Sequence, residues 1–171
     1  MDIELLRRLS NAFGPPGSEE EPREILRSEL EGDADEVTVD DLGNIFFRHR
    51  GEEGRPLVML AAHMDEIGFM VQHITDEGFI KFLPLGGWWG HVALAQRVWI
   101  VTSKGPVLGV VGSTPPHLLE QKEREKVLKI SDMFIDVGTM EKYDITKKLG
   151  VSVGDPIIPD SKFAIMNHNK M

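Results

Sequence analysis

Hydrophobic positions in the first third of the chain predict two helices followed by strands. Apolar residues recur at helical spacing over 3–9, and a Gly-Pro-Pro-Gly sequence ends this first helix. A second helix is predicted from Ser18, with Glu21 completing a capping box, to Gly32. Residues 36–40 then alternate between polar and apolar, which is typical of a half-buried strand, and an Asp-Leu-Gly-Asn turn leads into another strand.

Residues 57–62 differ because they are apolar at every position. Such a run predicts the central strand of an α/β sheet, covered on both faces. Two helices and a hairpin are too few elements to cover both faces of such a strand. Residues 1–70 therefore resemble half of a larger α/β sheet. Without further strands and helices, we expect the apolar faces of 57–62 to be exposed.

After about residue 70 the pattern changes to short strand-like runs separated by Gly, Pro and Asp turns. Regular short strands of this kind predict a small barrel or sandwich. A helix is predicted over 141–149, ending at Gly150. The predicted strands are 69–74, 79–83, 97–102, 107–112, 133–137 and a last one from Val153 to Ile158.

Composition and charge exclude several classes of function. The chain of 171 residues has no Cys, so a thiolate metal site, a disulfide and a cysteine nucleophile are impossible, which fits a cytoplasmic protein. The net charge of −9 argues against nucleic acid and anionic membrane partners. The N-terminus does not resemble a signal peptide, and no apolar run reaches the length of a membrane span.

The best candidate for chemistry is the His63-Met64-Asp65 sequence at the end of the apolar run. If the extended geometry continues, His63 and Asp65 project from the same face. Imidazole is a good zinc or cobalt ligand, and a neighbouring carboxylate fixes its tautomer and raises its basicity. The alternative is a strand end whose histidine has only a structural hydrogen bond.

Other candidate groups are weaker. Asp65 and Glu66 could be the paired carboxylates of an endoglucanase, but adjacent strand residues point to opposite faces, whereas the two acids of a glycosidase face each other. The remaining histidines show no metal-ligand spacing and are expected on the surface or in loops. They are His49, His73, His91, His117 and His168.

Taken together, these residues resemble the TET-type dinuclear metallo-aminopeptidases, a group that includes glutamyl and deblocking aminopeptidases and some proteins labelled endoglucanase. The resemblance extends over essentially the whole chain, and its most specific part is Ala62–Val71. The weaker motifs, in order, are Phe13–Glu19, Asp41–Asn44, Gly86-Gly87, Gly109–Gly112, Pro115–His117, Asp136–Gly138 and Val153–Asp155.

The resemblance implies an α/β fold, namely part of a mixed-sheet, zinc-peptidase-like catalytic domain with an inserted small β-barrel-like dimerisation domain. Residues 1–70 would form the N-terminal part of the catalytic domain, and 71–160 the inserted domain. Residues 161–171 would return towards the catalytic domain. A homo-oligomer formed through 71–160 is therefore expected.

The resemblance also implies a metal-dependent aminopeptidase that releases N-terminal residues from peptides. His63 matches a ligand of one of two divalent ions, zinc or cobalt, and Asp65 matches the catalytic carboxylate that supports it. The family's other ligands and its general base lie downstream of Met171. We therefore expect a truncated form that is inactive by itself and has at most one weak metal site. A non-catalytic dimerisation or assembly module is the main alternative, and endoglucanase activity a minor one.

Overall fold

The structure is a computed structural model that describes residues 2–166. The chain forms two compact units: one contains residues up to Asp65 and the segment from Lys162, and the other contains Glu66–Ser161. His168 and the last residues of the predicted returning segment lie outside the described residues.

Two helices begin the first unit. Helix α1, Ile3–Asn11, starts where the Asp2 carboxylate accepts hydrogen bonds from two backbone N–H groups of the first turn. Helix α2, Glu20–Leu30, begins two residues later than predicted, and no side-chain bond caps it. The capping-box prediction is wrong, because Glu21 instead accepts a hydrogen bond from the N–H of Phe13 at 2.9 Å.

An antiparallel hairpin follows, formed by β1, Glu36–Val39, and β2, Ile45–Arg48, close to the predicted strands. Its turn is organised by Asp40, whose carboxylate accepts hydrogen bonds from the N–H groups of Leu42 and Asn44. The side-chain amide of Asn44 donates a third bond at 2.8 Å. This amide bond, assisted by the backbone bonds, lowers the pKa of Asp40.

The predicted central strand at 57–62 is wrong in this structure. These residues have no regular secondary structure, and Leu57 and Leu60 are 90% and 95% exposed. A central strand needs hydrogen-bonded neighbours on both edges, and the described residues of this unit provide none. The expected exposure of this apolar run is therefore confirmed, whereas its strand geometry is not.

The second unit is a closed six-stranded barrel in which every paired strand is antiparallel. The sequence predicts either a barrel or a sandwich, and the structure is a barrel. The strand order is β3-β4-β7-β6-β5-β8, and β8 closes the barrel against β3. The strands are β3 Gly68–Ile74, β4 Phe79–Leu85, β5 Arg97–Thr102, β6 Gly105–Gly112, β7 Phe134–Asp136 and β8 Pro156–Pro159.

Short helical elements fill the connections of the barrel. Helix α3, Gly90–Ala93, precedes β5, and helix α4, Gln121–Arg124, lies between β6 and β7. The helix predicted over 141–149 contains a π-helical segment at Asp144–Leu149. Its predicted end is confirmed, because Gly150 adopts φ +80°, a left-handed conformation that glycine tolerates without strain.

The hydrophobic core lies inside the barrel. Phe69 is fully buried, and the Trp88 ring stacks on it with centroids 4.3 Å apart. The indole N–H of Trp88 donates to the carbonyl of Gly68 at 2.8 Å, so the aromatic stack is fixed by a polar contact. Other buried residues alternate along the strands and include Val71, Ile80, Phe82, Val98, Ile100, Val111, Ile135 and Ile157.

No helix within residues 2–166 is long and apolar enough to cross a membrane.

Candidate metal-binding site

His63 and Asp65 are in contact, although the segment before them is not a strand. The Nδ1 atom of His63 lies 3.1 Å from Asp65 Oδ1 and 3.1 Å from the Asp65 backbone oxygen. Both neighbours are hydrogen-bond acceptors at neutral pH, so Nδ1 is the ring atom that donates. The proton of the neutral ring is therefore placed on Nδ1, and the lone pair is on Nε2.

This arrangement is the usual one for a histidine that ligates a metal through Nε2. Metal-ligating histidines commonly donate their other ring N–H to a carboxylate or a carbonyl, which fixes the tautomer and orients the ring. The side chain of His63 is 85% exposed and that of Asp65 is 39% exposed. At this exposure the contact contributes little to stability, so orientation of the ring is its main physical effect.

The chemistry of His63 suits one ligand of a metal centre, but the described residues do not form a complete centre. Among residues 2–166, no group of three or more His, Asp or Glu side chains is arranged to hold an ion. A catalytic zinc ion normally takes three protein ligands. A metal centre that includes His63 therefore requires further ligands besides this pair.

Two further histidines lie in the barrel unit. His91 lies in α3 beside Trp89, with the two rings 5.9 Å apart. His73 lies on β3 and lines a groove on the barrel unit. Neither residue belongs to a group that could hold a metal within the described part of the chain.

A surface groove of about 450 Å³ lies in the first unit and was not anticipated from the sequence. Arg23 lines it and donates from its guanidinium to the carbonyl of Gly43 at 3.0 Å. Arg23 also pairs with Glu20 at 3.7 Å. These contacts join α2 to the β1–β2 turn, so the charged groups of this groove have a structural role. The turn itself is predicted by its Asp-Leu-Gly-Asn sequence, whereas its contact with α2 is not.

The fold is shared with solved aminopeptidases. A TET aminopeptidase from the marine sediment archaeon Thaumarchaeota archaeon SCGC AB-539-E09 superimposes with a TM-score of 0.92 at 44% identity, over 98% of this chain and 47% of that chain. PhTET1-12s, solved as a dodecamer, gives a TM-score of 0.80 at 34% identity, over 98% of this chain and 48% of that chain. An α/β unit with a closed barrel is thus the architecture of a TET aminopeptidase domain.

Sequence comparison gives the family. Residues 43–171 match the model of the M42 glutamyl aminopeptidases, and the chain belongs to this family. A putative aminopeptidase, FrvX, from Escherichia coli K12 is 42% identical over 172 residues, covering 100% of this chain and 48% of the relative. The chain therefore spans about half the length of the relatives that it matches.

Proposed function

We propose that this protein contributes to the metal-dependent release of N-terminal residues from peptides. His63 is the metal ligand in this proposal, and Asp65 is the carboxylate that holds its ring. The observation that carries the proposal is the 3.1 Å contact between His63 Nδ1 and Asp65 Oδ1 in a chain of the M42 family.

Asp65 acts through His63 in this proposal. Its carboxylate keeps the ring proton on Nδ1, directs Nε2 outward and increases the basicity of that nitrogen. A pair of divalent ions, zinc or cobalt, would supply polarisation of the scissile carbonyl and activation of a water molecule. In this proposal His63 is one ligand of such a centre, and the centre requires further ligands.

We expect the purified chain to show no aminopeptidase activity by itself, because a single imidazole does not hold two ions. The assay measures release of p-nitroaniline from several aminoacyl p-nitroanilides in the presence of Zn²⁺ or Co²⁺. Activity is expected when the complementary half of a longer M42 relative is added, and His63→Ala should abolish it. His49→Ala, a change of an exposed histidine of the same unit, is the matched control.

Two results would contradict the proposal. Turnover by the purified chain would show that this chain alone holds all the metal ligands that the reaction requires. If His63→Ala leaves the activity of the complemented enzyme unchanged, His63 is not a ligand of the metal centre.

A second candidate function is assembly through the barrel, and the closed barrel is the observation that favours it. We propose that residues 71–160 form a dimerisation domain. Leu83, Leu108 and Val110 lie on barrel strands and are between 41% and 46% exposed, so they offer apolar surface to a second copy.

Light scattering at increasing protein concentration tests this second candidate. The expected mass is that of a dimer or a larger assembly, and Leu108→Lys is expected to lower it by placing a charge in the apolar contact. A folded chain that stays monomeric at high concentration would exclude the assembly function.

A further inference from the structure

The segment 57–62 is apolar and exposed along its whole length. Its sequence is Leu-Val-Met-Leu-Ala-Ala, and Val58 and Met59 are 75% and 78% exposed. Within residues 2–166, no backbone N–H or carbonyl of this segment bonds to another backbone group. An uncharged apolar run with unpaired backbone groups is typical of a segment that pairs as a strand with another chain.

The backbone of the segment is compatible with strand geometry. None of its residues has a positive φ, and it contains neither glycine nor proline. Successive side chains of a strand point to opposite faces, so both faces of a strand formed here would be apolar. A second strand alongside would satisfy the backbone groups and cover part of the apolar surface.

Opposite charges flank the segment and determine which partner fits it. Arg55 precedes the segment and Asp65 follows it. Parallel pairing of two copies in register would place Arg55 beside Arg55 and Asp65 beside Asp65, which is repulsive. Antiparallel pairing about Leu60 places Arg55 of each copy opposite Asp65 of the other. The segment is therefore complementary in charge to an antiparallel copy of itself, as a two-fold interface requires.

The existing contacts of Arg55 and Asp65 leave groups available for this pairing. Asp65 uses Oδ1 for the contact with His63, so its second carboxylate oxygen can accept from a guanidinium. Arg55 donates from Nε to Glu52 at 3.2 Å, and these two side chains are 74% and 80% exposed. A pair this exposed is weak, and the guanidinium keeps its terminal N–H groups for another carboxylate.

We propose that residues 57–62 pair with the same residues of a second copy of this chain as antiparallel strands. Leu60 lies on the two-fold axis, and Arg55 of each copy contacts Asp65 of the other. The pairing requires neither a metal ion nor the barrel surface. It is therefore separate from the proposed hydrolysis and from the proposed barrel dimer.

Disulfide crosslinking tests the register, because the chain has no cysteine of its own. Leu60→Cys places a thiol on the axis, where opposed Cα atoms lie about 4.5–5.5 Å apart, within the range of a disulfide. Two copies of the Leu57→Cys variant would hold their thiols about 20 Å apart. The two leucines are 95% and 90% exposed. On mild oxidation, Leu60→Cys is expected to give a linked dimer about tenfold faster than Leu57→Cys.

Matched variants separate this pairing from random collision and from barrel assembly. Leu42→Cys, at an exposed position of the β1–β2 turn, should crosslink as slowly as Leu57→Cys. Adding Arg55→Glu to Leu60→Cys should slow crosslinking about fivefold, because each of two Asp65 carboxylates then faces a like charge. Arg50→Glu makes the same charge change outside the segment and should leave the rate unchanged, as should Leu108→Lys on the barrel.

Amide hydrogen exchange of the parent chain gives a second measurement that needs no substitution. Exchange at residues 57–62 should slow as the protein concentration rises, because pairing protects the backbone N–H groups. Equal crosslinking at positions 57 and 60, or exchange that does not depend on concentration, would overturn the proposal. Protection that appears only when the complementary half of a longer M42 relative is added would also overturn it, since that half would then be the occupant.

Discussion

Phe69→Ala is expected to lower the free energy of unfolding of the barrel unit by about 3–5 kcal/mol. The Phe69 side chain is fully buried, and its ring contacts Phe82 edge to face with centroids 4.9 Å apart and stacks on Trp88. Truncation removes the buried ring and leaves a cavity between two other aromatic residues. Urea unfolding followed by tryptophan fluorescence measures the change, because Trp88 and Trp99 lie in the barrel unit and become exposed to water when it unfolds.

Phe46→Ala is the matched control for this substitution. Phe46 lies on β2 in the other unit and is 47% exposed. Its truncation should change the barrel transition by less than about 0.5 kcal/mol. A loss at Phe69 no larger than that at Phe46 would show that Phe69 is not at the centre of the barrel core.

Gly90→Ala is expected to destabilise the barrel unit by about 1–3 kcal/mol. A Cβ at position 90 would overlap the backbone carbonyl oxygen of Leu128, and the Met133 side chain lies 3.7 Å from it. A backbone atom has no rotamer by which to move away, so α3 and the segment between β6 and β7 must separate. Thermal unfolding monitored by circular dichroism measures the loss.

Gly87→Ala adds the same methyl group three residues earlier, where nothing lies within 4 Å and the backbone does not require glycine. This variant should be as stable as the parent or slightly more so. If both alanine variants unfold at the same temperature, Leu128 does not pack against the start of α3.

The barrel could be predicted from the sequence because its strands have one buried and one exposed face. Val98 and Ile100, for example, alternate with more exposed residues along β5, and both are fully buried. The closure could not be predicted, since it depends on non-local pairing of β8 with β3 and β5. Nor does helical periodicity distinguish the π-helical segment at Asp144–Leu149 from an ordinary helix.

The apolar run at 57–62 shows where sequence reasoning fails. Its composition is that of a buried strand, but composition specifies only the side-chain environment that a segment requires. Strand geometry also requires neighbouring strands, and the described residues of this unit provide only the β1–β2 hairpin, in a separate sheet. Leu57 and Leu60 are therefore exposed despite a sequence typical of a core.

The candidate site could be only partly predicted. His63 and Asp65 are identified from their i, i+2 spacing after an apolar run, and the structure places Nδ1 within 3.1 Å of the carboxylate. The groove lined by His73 of β3 and by the chain before β8 is not predicted by the sequence, because the bulge after Val71 and the short overlap of β8 with β3 are properties of the strand register.

Cobalt titration followed by NMR of the histidine ring protons tests most directly whether His63 is a metal ligand supported by Asp65. Paramagnetic broadening is expected at His63 at lower Co²⁺ concentrations than at His49, an exposed histidine of the same unit. Asp65→Ala should weaken binding at His63 by about tenfold, because the ring loses the acceptor that orients it. Equal broadening at both histidines, or broadening at His63 that Asp65→Ala leaves unchanged, would contradict the assignment.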